Sequence, residues 1–204
     1  AWDYQQRLNV LDGDGIAGEI IFPDGITQQN APPFGAGLAL PTKNIVADLQ
    51  WAGARAHNRW LAELCANNPQ RHFGIAVCPL LWNIDEAIKE VQFASENGLG
   101  GVLIPLLTQG FKPYHHPHYD PFWQACEDRG LVVCFHSGAA PMEEFFGEGF
   151  PDSDQANYPG AVGIYISEVF FWTYRPLVFM LWGGVFERFP GLKASVTETG
   201  QGWL

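Results

Sequence analysis

Two residues stand where an α/β enzyme would keep its chemistry. Leu131-Val132-Val133-Cys134-Phe135-His136-Ser137-Gly138 is an apolar, partly β-branched run closed by a histidine and a glycine turn. Such a run fits a parallel strand buried on both faces. The stretch from Leu192 to Glu198 has a similar form and ends in a carboxylate. Consecutive parallel strands end on one rim, so His136 and Glu198 are expected to face one pocket. An imidazole and a carboxylate together suit a borderline divalent ion such as zinc. Two ligands fall short of the three that a catalytic zinc usually takes from protein. Glu198 is therefore also readable as a general acid/base or as a structural carboxylate bonded to backbone.

Other reactive side chains carry less. His115, His116 and His118 crowd Lys112 to Tyr119, but without H-x-x-x-H spacing and between two prolines. A solvated loop is the expected reading, with one of them able to reach substrate because the loop follows a strand. Asp12, Asp14 and Gly15 fail the spacing of a calcium loop and read as a turn. His57, Arg59 and Trp60 lie mid-helix and His72 precedes a strand, so packing, capping or surface roles are expected. Asp24 beside Gly25 reads as a turn former. Ser137-Gly138 is not a nucleophile elbow, since G-x-S-x-G is absent. Cys65, Cys78, Cys126 and Cys134 form no C-x-x-C pair and read as buried reduced thiols, which suggests the cytoplasm.

The elements that must position these groups recur as strand then helix. Strands are expected at 15–23, 73–79, 101–105, 131–136 and 192–198. Helices are expected from about Asn44 to Cys65 and from the Asn83 cap to a stop at Gly98. Another runs from Asp120-Pro121 to Gly130, and an apolar one over 161–188 is kinked at Pro176. Residues 24–44 and 137–160 read as long loops. Units spaced by about 30 residues with right-handed crossovers give a parallel sheet. No G-x-G-x-x-G or P-loop pattern follows any strand, which disfavours a nucleotide-binding open sheet.

Composition narrows the partners. The chain has 204 residues, 47% of them hydrophobic, and a formal net charge of -11. That is a globular domain and a poor partner for nucleic acid. The most apolar stretch, Val169 to Phe186, is interrupted by Arg175 and Pro176, so no membrane span is expected.

Several motifs together resemble a known family. His57-Asn58-Arg59-Trp60-Leu61-Ala62-Glu63-Leu64-Cys65, the P-x-R-x-x-G-I-A pattern from Pro69 to Ala76, and the strand bearing His136 are three of them. The fourth is Gly183-Gly184-Val185-Phe186-Glu187-Arg188-Phe189-Pro190-Gly191-Leu192-Lys193. In these the chain is similar to the amidohydrolase-related proteins, and within them to the aminocarboxymuconate-semialdehyde decarboxylase group. The resemblance implies a metal-dependent (β/α)8 TIM barrel with His136 as the middle-strand metal ligand. The family's first-strand H-x-H and late aspartate have no counterpart here. The five strands then correspond to the second through sixth of eight, and residues 1–204 to a single barrel domain lacking both ends. Those decarboxylases carry a histidine where this chain has Glu198, and a glutamate there is similar to hydrolase-like relatives.

The function expected of the intact protein is thus metal-dependent hydrolysis of a small carboxylate- or carbonyl-bearing substrate. Zinc, or else manganese, would be held by His136 and Glu198, with Glu198 also moving protons. Decarboxylation is the alternative, and a non-catalytic ligand-binding barrel the second alternative. Phe145, Phe146, Phe150 and Tyr158 in the second long loop suit an aromatic substrate. The five-stranded piece alone is expected to be inactive and prone to oligomerise, and a homodimer is the assembly to test.

Overall fold

Alternation along the strands decides how this chain curls. The structure is a computed structural model describing residues 3–23, 46–106, 110–136 and 159–200. Five strands, β1 (Glu19–Ile21), β2 (His72–Val77), β3 (Gly101–Leu103), β4 (Val132–His136) and β5 (Lys193–Thr197), pair in sequence order. Every pairing is parallel. Side chains two apart on a strand share a face. Ala76, Cys78, Val102, Ile104, Val133 and Phe135 face one way and form the main core with the helices. Ile75, Val77, Leu103 and Cys134 face the other way and make a second core with Phe22, Trp82 and Val132.

The second face is concave. The rings of Phe22, just past β1, and His136, at the end of β4, lie 5.1 Å apart. Three strand spacings of a flat sheet would put those strands about 14 Å apart. The sheet therefore bends like a barrel wall, with helices outside and a second core inside. The architecture is an incomplete (β/α)8 barrel, as expected. The long loops at 24–44 and 137–158, with Asp24, Gly25, Phe145, Phe146, Phe150 and Tyr158, lie outside the described residues, as does Ser137-Gly138.

Local signals set most of the helix ends. Helix α2 spans Ala47–Ala66, and α3 (Ile84–Glu96) starts where the Asn83 side chain accepts from the Glu86 N–H at 3.1 Å. Helix α4 (Asp120–Arg129) has proline in its first turn and ends at Gly130, whose φ of 65° is left-handed. The apolar segment divides into α5 (Ala161–Trp182), which runs through Pro176, and α6 (Val185–Arg188). The division falls at Gly183-Gly184. Gly184 has φ 69°, and a Cβ on Gly183 would meet the His115 Cβ at 2.1 Å.

Helix α1 (Tyr4–Gly13) was not anticipated. It buries only Leu11, so it has no apolar stripe to betray it. Its one sequence signal is Asp3, whose carboxylate accepts from the Gln5 and Gln6 N–H groups. None of the helices among the described residues is long and apolar enough to cross a membrane.

Candidate functional site

The C-terminal rim of the sheet is built by period and register. His136 is two residues beyond Cys134, so it inherits the concave face at the point where β4 ends. Its register partner on β5 is Thr197, and Glu198 follows directly. Glu198 has φ 60°, the left-handed region that a non-glycine residue enters at a cost of about 1 kcal/mol. That turn brings its carboxylate back over the rim. His136 Nε2 and Glu198 Oε2 are 3.9 Å apart, the imidazole largely enclosed and the carboxylate 63% exposed. The expected meeting of these two groups at one mouth is what the structure shows.

The pair can be tested as a cation holder. Metal–nitrogen and metal–oxygen bonds of about 2.0–2.2 Å sum to more than 3.9 Å, so both atoms can touch one ion. The nitrogen–carboxylate set suits zinc or manganese. No cluster of three or more histidine, cysteine, aspartate or glutamate residues able to hold a metal occurs among the described residues. The pair thus fits a metal as two ligands of a larger set.

The three loop histidines are elsewhere. Tyr114 is fully buried, its hydroxyl donating to the Pro105 carbonyl at 2.6 Å. It anchors an aromatic cluster with Tyr119, Trp123 and Phe135 on the helix side of the sheet. His115 therefore stacks on Phe179 at 5.5 Å outside the barrel. His116 caps the turn at Pro117–Tyr119 by accepting from the His118 N–H at 3.0 Å. The solvated-loop reading suits the exposed His116 and His118, whereas His115 is a half-buried packing group.

The remaining candidates are structural. Asp12 pairs with Arg71 at 2.8 Å, as befits a turn. All four cysteines are buried and reduced. Burial pushes the Cys65 thiol up to about 11 and that of Cys134 up to about 12, and raises Cys78 and Cys126 further. None is a ready thiolate. Burial also lowers the His57 pKa.

Three polar residues, two of them buried and one partly buried, escaped the sequence reading. Pairing of β1 with β2 reaches only Gly74. Beyond it the fully buried Asn58 takes the place of the missing strand. Its Oδ1 accepts from the Val77 N–H at 2.7 Å, and its Nδ2 donates to the Val77 carbonyl at 2.8 Å. Nδ2 also donates to the buried Glu90 at 2.9 Å, and Arg59 closes that carboxylate in an ion pair. Asn58 lies within the helix motif quoted for the resemblance, so a signal was present. The third is Glu19, whose partners are distant in sequence. Arg7 bonds it twice, and His72 Nδ1 lies 2.9 Å from its Oε1.

The glycine-rich signature is structural too. Gly184 supplies a left-handed turn, Val185 and Phe189 are buried, and Arg188 bonds the His115 carbonyl and Asp120.

Comparison with known proteins agrees with the fold and its motifs. Gamma-resorcylate decarboxylase of Rhizobium radiobacter is 30% identical over 152 residues, which are 71% of this chain and 42% of that protein. The 2-amino-3-carboxymuconate-6-semialdehyde decarboxylase of Dictyostelium discoideum is 26% identical over 200 residues, 98% of this chain and 48% of that protein. The chain thus spans about half the length of the curated relatives it matches. The solved dihydroxybenzoic acid decarboxylase of Polaromonas sp. JS666, with bound manganese and the inhibitor 2-nitroresorcinol, superposes with a TM-score of 0.62. It is 19% identical, and the match covers 93% of this chain and 52% of that one, a likeness of fold. A profile of the amidohydrolase family matches residues 30–204, and the chain belongs to that family.

Proposed function

We propose that the intact protein is a metal-dependent enzyme acting on a small carboxylate-bearing aromatic molecule, at a mouth where His136 and Glu198 work together. The observation that carries this is the 3.9 Å approach of Nε2 and Oε2 on the concave rim. The catalytic unit is the closed barrel, of which the described residues supply five strands. A divalent ion, when bound, supplies Lewis acidity toward a substrate oxygen. His136 contributes a nitrogen donor on a largely enclosed ring. Glu198 is exposed enough to meet substrate and to hold a proton.

Decarboxylation is favoured by the curated relatives described above, both named as decarboxylases. In that reaction the bond between ring carbon and carboxyl carbon breaks, CO2 leaves, and the electron pair stays on the ring carbon. Glu198 delivers the proton that forms the new C–H bond. Hydrolysis is the second reading, favoured by a carboxylate at 198 that can take a proton from attacking water. Zinc or manganese would serve either reaction, and the manganese in the Polaromonas structure makes manganese the first ion to try. Four buried thiols without a disulfide accord with a cytoplasmic location.

The test uses intact protein, Mn²⁺ or Zn²⁺, and gamma-resorcylate. Metal-dependent CO2 release, abolished in Glu198→Gln, is the expected outcome. Ester or lactone hydrolysis without CO2 release would select the second reading. A protein that binds neither metal would end both.

A further inference from the structure

The ring of Phe22 meets the imidazole of His136 from the far side of the sheet. Phe22 follows β1 and His136 ends β4, with two strands between them in the sheet. The ring centroids are 5.1 Å apart with an interplanar angle of 51°. That lies within the range in which aromatic rings prefer tilted, edge-directed contact. Phe22 is itself fixed from below. It packs on the inner core of Ile75, Val77, Leu103 and Cys134, and Cys134 is the residue two before His136 on the same face. Pro23, which comes next, is buried. The contact is therefore between two side chains that are each anchored, and it closes across the curl of the wall. Glu198 Oε2 stands 3.9 Å from the Nε2 of the same imidazole.

An imidazole on a rigid strand still has one soft torsion, the ring flip about Cβ–Cγ. A ring packed against the imidazole restricts the plane that this torsion can take. We propose that Phe22 is a positioning residue for His136. Its ring fixes the plane of the imidazole, within which Nε2 lies 3.9 Å from the Glu198 carboxylate. The functional consequence rests on the reading that His136 and Glu198 share a cation, but the contact itself does not. The chemistry requires an aromatic ring at position 22. A flexible aliphatic chain of similar volume fills the space without defining the plane of its neighbour.

Two readouts test it. In metal-free protein with ¹³C-labelled histidine, the His136 ring signals are assigned by their loss in His136→Gln. NOEs from the Phe22 ring to the imidazole protons are expected. Phe22→Leu and Phe22→Met should both shift the His136 signals, and Phe22→Tyr should leave them near their original positions. If Phe22→Leu fails to fold, Phe22→Met and the wild-type NOEs still decide. Absent NOEs, Met or Leu spectra that superpose on wild type, or a Tyr spectrum that matches Leu, would each overturn the proposal. The second readout is Zn²⁺ affinity by calorimetry. Loss of the ring should weaken binding roughly three- to tenfold, and Phe22→Tyr should restore it. Equal affinity in Phe22→Leu and wild type overturns the positioning role and leaves the shared-cation reading standing. No Zn²⁺ binding by wild type sinks that reading instead, while the imidazole spectra still judge Phe22.

Discussion

Among the described residues, two glutamate–histidine pairs stand at opposite ends of the same sheet, and their surroundings differ. At the base, Glu19 of β1 stands opposite His72 of β2 in register. Their closest atoms are 2.9 Å apart, the His72 side chain is wholly enclosed, and Arg7 clamps the carboxylate. At the mouth, His136 and Glu198 are 3.9 Å apart and the carboxylate stands in solvent. The base pair is enclosed, and its carboxylate is clamped by Arg7. The mouth pair has an exposed donor, a left-handed backbone turn under it and an aromatic ring behind it. Residue type does not separate the base pair from the pair we propose as the site. The end of the strand on which it falls does, because parallel strands carry their loops and sites at the C-terminal rim.

Substitution at each histidine should split the two roles most widely. His136→Ala is expected to weaken Zn²⁺ or Mn²⁺ binding by at least about 100-fold, since it would remove a proposed ligand outright. Its melting temperature should stay within about 2 °C of wild type, because the side chain sits at the edge of the core. His72→Ala should do the reverse. Removing an enclosed side chain beside a partly buried carboxylate should cost about 2–3 kcal/mol of stability, with metal affinity unchanged. Calorimetric titration and urea unfolding on both variants check the pair of outcomes. Equal loss of metal binding in the two variants would erase the distinction between base and mouth.

Asn58→Ala offers a sharper version, because Asn58 belongs to neither end. It should strip partners from the Val77 N–H and carbonyl and leave Glu90 with Arg59 alone. A loss of about 2 kcal/mol is expected, read as an earlier urea midpoint. Hydrogen exchange should rise first at Val77 and not at the rim.

What was legible in the sequence follows the same division. The strand-end places of His136 and Glu198 are legible because each ends a short apolar run, and strand ends are local signals. The Asn83 cap, Pro121 and Gly130 were found for the same reason. Glu19 and His72 were not paired, since their meeting depends on the register of two strands separated by all of α2. The place of Asn58 at Val77 depends on where β1 stops pairing, which no local pattern states. Reading 161–188 as one helical piece missed the break at Gly183-Gly184, although two successive glycines are the usual mark of one. The reason lies in the tertiary contact, where Gly183 gives way to His115.

The smallest effect tests the base pair by acid. The hydrogen bonds from Arg7, opposed in part by burial, hold the Glu19 carboxyl below its ordinary value. A carboxylate whose folded pKa is depressed binds its proton more readily in the unfolded chain. Its contribution to stability is complete above the unfolded value of about 4.3 and is lost as pH falls through the lower folded value. Stability should therefore hold level through neutral pH and decline below about pH 4 in wild type. Glu19→Gln cannot take part in that linkage, so its acid decline should be shallower although the variant is less stable at pH 7. The difference should shrink in 1 M salt, because the Arg7 side chain is 34% exposed and its attraction is open to screening. Parallel acid slopes for the two proteins would mean that Glu19 is not clamped at the base at all, and the contrast with the mouth would then rest on exposure alone.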